Sequence, residues 1–85
     1  MNPAPRILLA RSKLEEMLLE FLLAYPRCKE ATGVSIRRLT QDLENGANWA
    51  MDSYNSGRAL RDDCDVALRL ILPIIQHHFD VAPDA

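Results

Sequence analysis

Apolar residues recur at steps of three and four along "SKLEEMLLEFLLAYP", placing Leu14, Met17, Leu18, Phe21, Leu22 and Tyr25 on one stripe. That spacing predicts an amphipathic helix. Ser12 followed by Glu15 fits a capping box, in which the serine hydroxyl accepts from the Glu15 amide and the carboxylate reaches back to the serine amide. Glu15, Glu16 and Glu20 sit mainly toward the positive, N-terminal end, where negative charge is favoured. Pro26 supplies the stop, because it has no amide to donate and restricts Tyr25 before it. If the helix began earlier, Pro5 would suit its first position.

A second helical pattern runs through "DDCDVALRLILPIIQHHFD". Cys64, Ala67, Leu68, Ile71, Ile74 or Ile75, and His78 or Phe79 follow helical spacing, with Asp62 or Asp63 as the N-cap and Asp65 in the first turn. Pro73 removes the bond to the Arg69 carbonyl at a cost of about 3 kcal/mol, which predicts a kink or a break. Leu70, Ile71, Leu72, Ile74 and Ile75 make an apolar belt wider than one stripe. Such a belt needs cover on more than one side.

The segment between these helices supports two readings. In the helical one, Gly33 ends a turn, Ser35 is an N-cap, and Ile36, Leu39 and Leu43 descend to a terminator at Asn45-Gly46. This gives an all-α alternative of three to four helices, with a DNA-reading helix-turn-helix over residues 28–44. Asp42 disagrees with it, standing where a recognition helix usually buries an aliphatic side chain. In the strand reading, "GVSIRRL" and "NWAMDSY" are the arms of a hairpin. A two-residue turn at Asn45-Gly46 would set Leu43 against Asn48 and Leu39 against Asp52, so the apolar sides would not match. A loop of about eight residues, "TQDLENGA", instead lets Val34 and Ile36 share a face with Trp49 and Met51.

"TGVSIRRL", "GANWAMDSYNSGRA", a Cys, "AL" and "ILPIIQHHFDV" together resemble short uncharacterised bacterial proteins in which an Asn-Trp strand and an Asn-x-Gly turn precede a C-terminal helix. The likeness covers roughly the last two-thirds of the chain. It implies no activity, and it favours the hairpin. The expected fold is therefore α+β in the order helix, strand, strand, helix, with a small antiparallel hairpin covered by two helices. All of residues 1–85 form one domain in this reading, with 1–11 and 81–85 as flexible ends.

Composition narrows the function classes. With 48% apolar and 26% charged residues the chain reads as a globular domain, but at this length a lone core is marginal. A two-stranded sheet has exposed edges and cannot hide the Ile-rich last helix, so a homodimer is expected. Residues 27–61 carry six basic and four acidic groups, too slight an excess to favour nucleic acid. Cys28 and Cys64 are too few for a disulfide framework and too far apart in sequence for a zinc site. They are expected to be reduced thiols. The four-residue apolar run Ile7 to Ala10 is too short for a signal peptide core, and no stretch reaches the roughly 20 apolar residues of a membrane span. A cytoplasmic protein with no membrane partner is the expectation.

Candidate chemistry is sparse. Adjacent His77 and His78 point about 100° apart on a helix and cannot chelate one metal together. Cys64 near a helix N-terminus would be activated by the dipole, yet Asp62, Asp63 and Asp65 oppose that, so it reads as a buried structural thiol. Arg37 and Arg38, with Arg27, Lys29, Arg58 and Arg61, read as a solvated face. No nucleophile, base and orienting group assemble, so neither an enzyme nor a cofactor is expected. An exposed aromatic would mark a partner surface, and the candidates are Trp49, Tyr54, Arg37 and Arg38. The core is the favoured place for Trp49, while alternation puts Tyr54 on the opposite side. A small interaction or regulatory module acting by binding is the expected function.

Overall fold

A computed structural model describes residues 6–44 and 46–83. The chain is α+β: β1 (Ile7–Leu9), α1 (Arg11–Leu23), a 3-10 turn (Pro26–Cys28), β2 (Gly33–Arg38), β3 (Trp49–Asn55), α2 (Arg61–His78) and β4 (Phe79–Val81). Strands β2 and β3 form the antiparallel hairpin, and β1 pairs with β4 in a second, parallel two-stranded sheet. The all-helical alternative fails, since residues 33–38 are strand and no helix lies between Lys29 and Asn48 among the described residues.

Alternation in "NWAMDSY" carries β3, and the loop joining the arms is long. Leu39 donates to the Asn48 carbonyl at 2.8 Å and closes it; Asn45 lies outside the described residues. The register has one irregularity. Ser35 opposes Ser53 and Ile36 opposes Met51, so Asp52 is an extra residue in β3. A bulge of this kind resets the alternation. It brings Tyr54 to the same side as Trp49 and Met51, correcting the expectation that Tyr54 faces away.

Helix α1 buries Leu14, Leu18 and Leu22 completely, while Phe21 stays 48% exposed. Each such leucine contributes roughly 1.5–3 kcal/mol. The capping box does not form: Ala10 is the N-cap, Ser12 is already helical, and no side chain caps the end. Glu15 is used elsewhere, its Oε2 accepting from the Ile36 amide at 3.0 Å. That amide points out of the hairpin and would otherwise lack a partner.

Two described segments, one near each end of the chain, pair with each other. Residues 7–9, in the segment expected as a flexible N-terminus, pair with Phe79–Val81. Pro5 falls outside the described residues. Arg6 anchors this sheet to the end of α2. Its guanidinium donates to the carbonyls of His77 (3.1 Å), Phe79 (3.0 Å) and Gln76, and its Nε lies 2.9 Å from Asp80 Oδ2. The last carbonyls of a helix have no intrahelical donor and carry partial negative charge, so one arginine both satisfies and neutralises them.

Helix α2 starts at Arg61 with Leu60 as N-cap, so Asp62 and Asp63 lie in the first turn instead of capping it. They complement the positive end of the dipole there. The helix runs through Pro73 to His78 without a break. Pro73 is exposed, which leaves the Arg69 carbonyl on the solvent side where water can take the place of the missing amide.

Cys28 and Cys64 are bonded to each other, with Cα atoms 5.3 Å apart, and both are fully buried. The expectation of reduced thiols is thereby corrected. The 3-10 turn started by Pro26 folds back against the first turn of α2, bringing together residues 36 apart in sequence. Spacing alone cannot foresee such a pairing.

Gly57 turns the chain from β3 into α2. Its φ is +60°, its amide donates to Asn55 Oδ1 at 2.8 Å, and a Cβ there would sit 2.0 Å from the Glu30 carbonyl oxygen. A side chain must pay the left-handed penalty of about 1–2 kcal/mol and also displace backbone. Gly57→Ala is expected to lower the thermal midpoint by roughly 10 °C or more. Calorimetry showing a shift under about 3 °C would refute this placement.

Candidate interaction surface

The four residues singled out as a partner surface divide between core and solvent. Trp49 is fully buried and Tyr54 nearly so, whereas Arg37 and Arg38 are exposed at the end of β2. Trp49 thus lies in the core, and Tyr54 shows only a small part of its side chain, at a polar groove.

Trp49 is a joint between the two sheets. Its indole Nε1 donates to the Phe79 carbonyl at 2.9 Å, and its own carbonyl accepts from Gln76 Nε2 at 3.2 Å. Beside it, the Asn48 side chain acts as a short piece of strand. Its Nδ2 donates to the Val81 carbonyl (3.0 Å) and its Oδ1 accepts from the Val81 amide (2.9 Å). Asp80 Oδ1 accepts from the Asn48 amide at 3.2 Å while its other oxygen faces Arg6. The Asn-Trp pair thus fastens the hairpin to β4 and the end of α2.

Tyr54 fastens the other end of α2. Its hydroxyl donates to Asp65 Oδ1 and lies 3.0 Å from the Arg61 carbonyl, and the Arg61 guanidinium sits 4.7 Å above the ring. Burial, then the hydrogen bond to Asp65 and the negative charge of Asp65, push the phenol up to about 12, opposed by Arg61 and helped by Asp62. Between the ordinary value near 10 and about 12 the unfolded chain loses this proton while the folded chain keeps it. Stability is therefore expected to be insensitive to Tyr54 below pH 10 and to fall as pH rises through that window. Urea midpoints from pH 9 to 12 test this: the fall should shrink in Tyr54→Phe, and identical curves for both proteins would rule it out.

Three of the six basic residues of the middle segment are engaged one by one. Arg38 donates to the Ala82 carbonyl, Arg61 covers Tyr54, and Arg27 lies 3.8 Å from Asp63. A polar groove of about 620 Å³ runs past Ser35, Ser53, Ser56 and Arg61. His77 and His78 occupy the last turn of α2, their rings edge to face at 5.0 Å. Among the described residues no three His, Cys, Asp or Glu side chains gather as metal ligands, and no helix is long and apolar enough to cross a membrane.

Apolar surface remains on the outer face of α2, as it does at Ile7, Leu8 and Leu60. Val66, Leu70 and Ile74 are 56%, 56% and 61% exposed, on the side of α2 away from buried Cys64, Ala67, Leu68, Ile71 and Ile75. Next to them Phe21 and Tyr25 of the α1 end form a cleft of about 230 Å³ with Leu70, Ile71, Ile74 and Ile75. A second cleft, of about 380 Å³, continues along Tyr25, Pro26 and Val66. Scattered exposed leucines need no explanation, but a continuous strip between polar ends is the candidate interaction surface. Its signal in the sequence was the wide Leu70 to Ile75 belt, and no motif marks it. Compared with protein-family models, curated proteins and solved structures, the chain matches none of them.

Proposed function

We propose that the protein is a small interaction or regulatory module that acts by binding, with a homodimer as its working form. The observation that supports this is the exposed strip of Val66, Leu70 and Ile74 beside Phe21, in a chain small enough for a partner's cover to matter. Catalysis has no part in the reading. The two thiols that a sequence scan offers as nucleophiles are spent on one another in the core. The likeness to short bacterial proteins with an Asn-Trp strand adds no activity to it.

A reducing cytoplasm, the setting that free thiols imply, loses that ground, since disulfides persist mainly in oxidising compartments. In a reducing cytoplasm the module would work with the bond under pressure to open. Sedimentation of the full chain between about 1 and 200 µM tests the reading, because a weak but specific interface has a dissociation constant in that range. A concentration-dependent rise from monomer to dimer is expected. A monomer throughout would overturn it.

A further inference from the structure

The exposed strip on α2 is symmetric about its own middle. Leu70 stands at the centre, with Val66 four residues before it and Ile74 four residues after. Seven and eight residues before it lie Asp63 and Asp62; seven and eight residues after it lie His77 and His78. At about 100° per residue, Asp63 and His77 both fall within about 20° of Leu70 around the axis, on opposite sides of it. A strip that is apolar in the middle, acidic at one end and imidazole-bearing at the other is complementary to itself when turned end for end.

We propose that α2 packs antiparallel against α2 of a second copy, about a two-fold axis passing through Leu70. The proposal rests on the homodimeric reading given above and supplies its geometry. Leu70 meets Leu70 of the second copy, and Val66 meets Ile74 at both ends. Asp63, near the contact line at one end, faces His77 of the second copy at the other, and the same pair recurs by symmetry. An imidazole keeps at least one N–H donor in its neutral form, so these facing pairs can form hydrogen bonds without prior protonation. Antiparallel alignment also sets the positive end of each helix dipole beside the negative end of the other. Phe21 and Tyr25 flank the strip and, with Leu70 and Ile74, give each copy the cleft that receives Val66 or Leu70 from its mate. An isologous contact of this kind closes on itself and leaves no free strip for further growth.

The second exposed apolar feature is β1, where Ile7 and Leu8 are 54% and 60% exposed. An edge strand of that kind could pair with another copy, and it carries no comparable charge pattern. Cross-linking separates the two. Helices that pack about 8–10 Å apart, each with Cα atoms about 2.3 Å from its axis, bring facing Cα atoms to within the reach of a disulfide. Under mild oxidant the full-length Leu70→Cys variant is expected to cross-link to itself. Val66→Cys and Ile74→Cys should cross-link far faster when mixed than either does alone. The native cysteines are buried and already bonded, so they leave the background low. Leu70→Glu is expected to weaken dimerisation at least about tenfold without changing the circular dichroism spectrum. A chain that dimerises in sedimentation but whose Leu70→Cys variant stays uncross-linked would overturn this geometry while leaving the homodimer intact. A chain that remains monomeric would overturn both.

Discussion

Opening the Cys28–Cys64 bond is expected to cost the fold roughly 4 kcal/mol. The chain-entropy estimate for a loop closed by residues 36 apart gives that figure, because the cross-link mainly restricts the unfolded chain. Domains of this size carry only about 5–15 kcal/mol in total. Loss of the bond therefore removes between a quarter and most of the stability. The bond also joins the turn after α1 to the first turn of α2, and both sulfurs lie in the same core as Leu14, Leu18 and Leu22. Urea unfolding with and without a thiol reductant, and of the double variant Cys28→Ala/Cys64→Ala, measures the effect. Coincident curves in reductant and in its absence, or two free thiols in the mass spectrum of the purified protein, would count against the pairing.

The second large effect is expected at Trp49. Trp49→Ala removes the largest fully buried side chain and should cost about 3–5 kcal/mol. Trp49→Phe retains a ring but deletes the N–H that reaches the Phe79 carbonyl. That carbonyl still receives Arg6, so the Phe variant should lose only about 1 kcal/mol for the bond, plus a smaller packing term. The order of the two variants is the informative result. A loss under 1 kcal/mol for Trp49→Ala would mean that the indole is not a joint between hairpin and helix. Trp49 is the only tryptophan, so native fluorescence reports on the same site. Its emission should be that of a buried indole and should shift to the red on unfolding.

Both helices were legible because their apolar residues recur at helical spacing. Leu14, Leu18 and Leu22 are the core of α1, and Cys64, Ala67, Leu68, Ile71 and Ile75 are the core of α2. The hairpin was half legible: period-two alternation with a long loop supported it, but the helical spacing of Ile36, Leu39 and Leu43 supported a helix as well, and the family resemblance tipped the balance. Local pattern reaches as far as the residues that neighbour one another in sequence, and the helices depend on little else. The candidate surface was half legible: the wide belt from Leu70 to Ile75 announced a second apolar face, while the residues actually named for a partner included Trp49 and Tyr54, which are core.

What the sequence determined by itself was two amphipathic helices and more apolar surface on the last helix than one stripe can bury, with the segment between them open to a helical or a hairpin reading. The tertiary structure alone decided the rest. Strands β1 and β4 are three residues each, too short to show a period, and they exist because Arg6 and Asn48 hold them against the end of α2. Glu15 caps a strand instead of its own helix because the unpaired Ile36 amide lies within reach only once α1 packs on β2. Tyr54 turns inward because one extra residue, Asp52, shifts the pairing of two distant segments. The Cys28–Cys64 bond likewise depends on where the chain returns after 36 residues. Each of these is a meeting of groups far apart along the chain, and such meetings are set by the packing of whole elements, which no local spacing encodes.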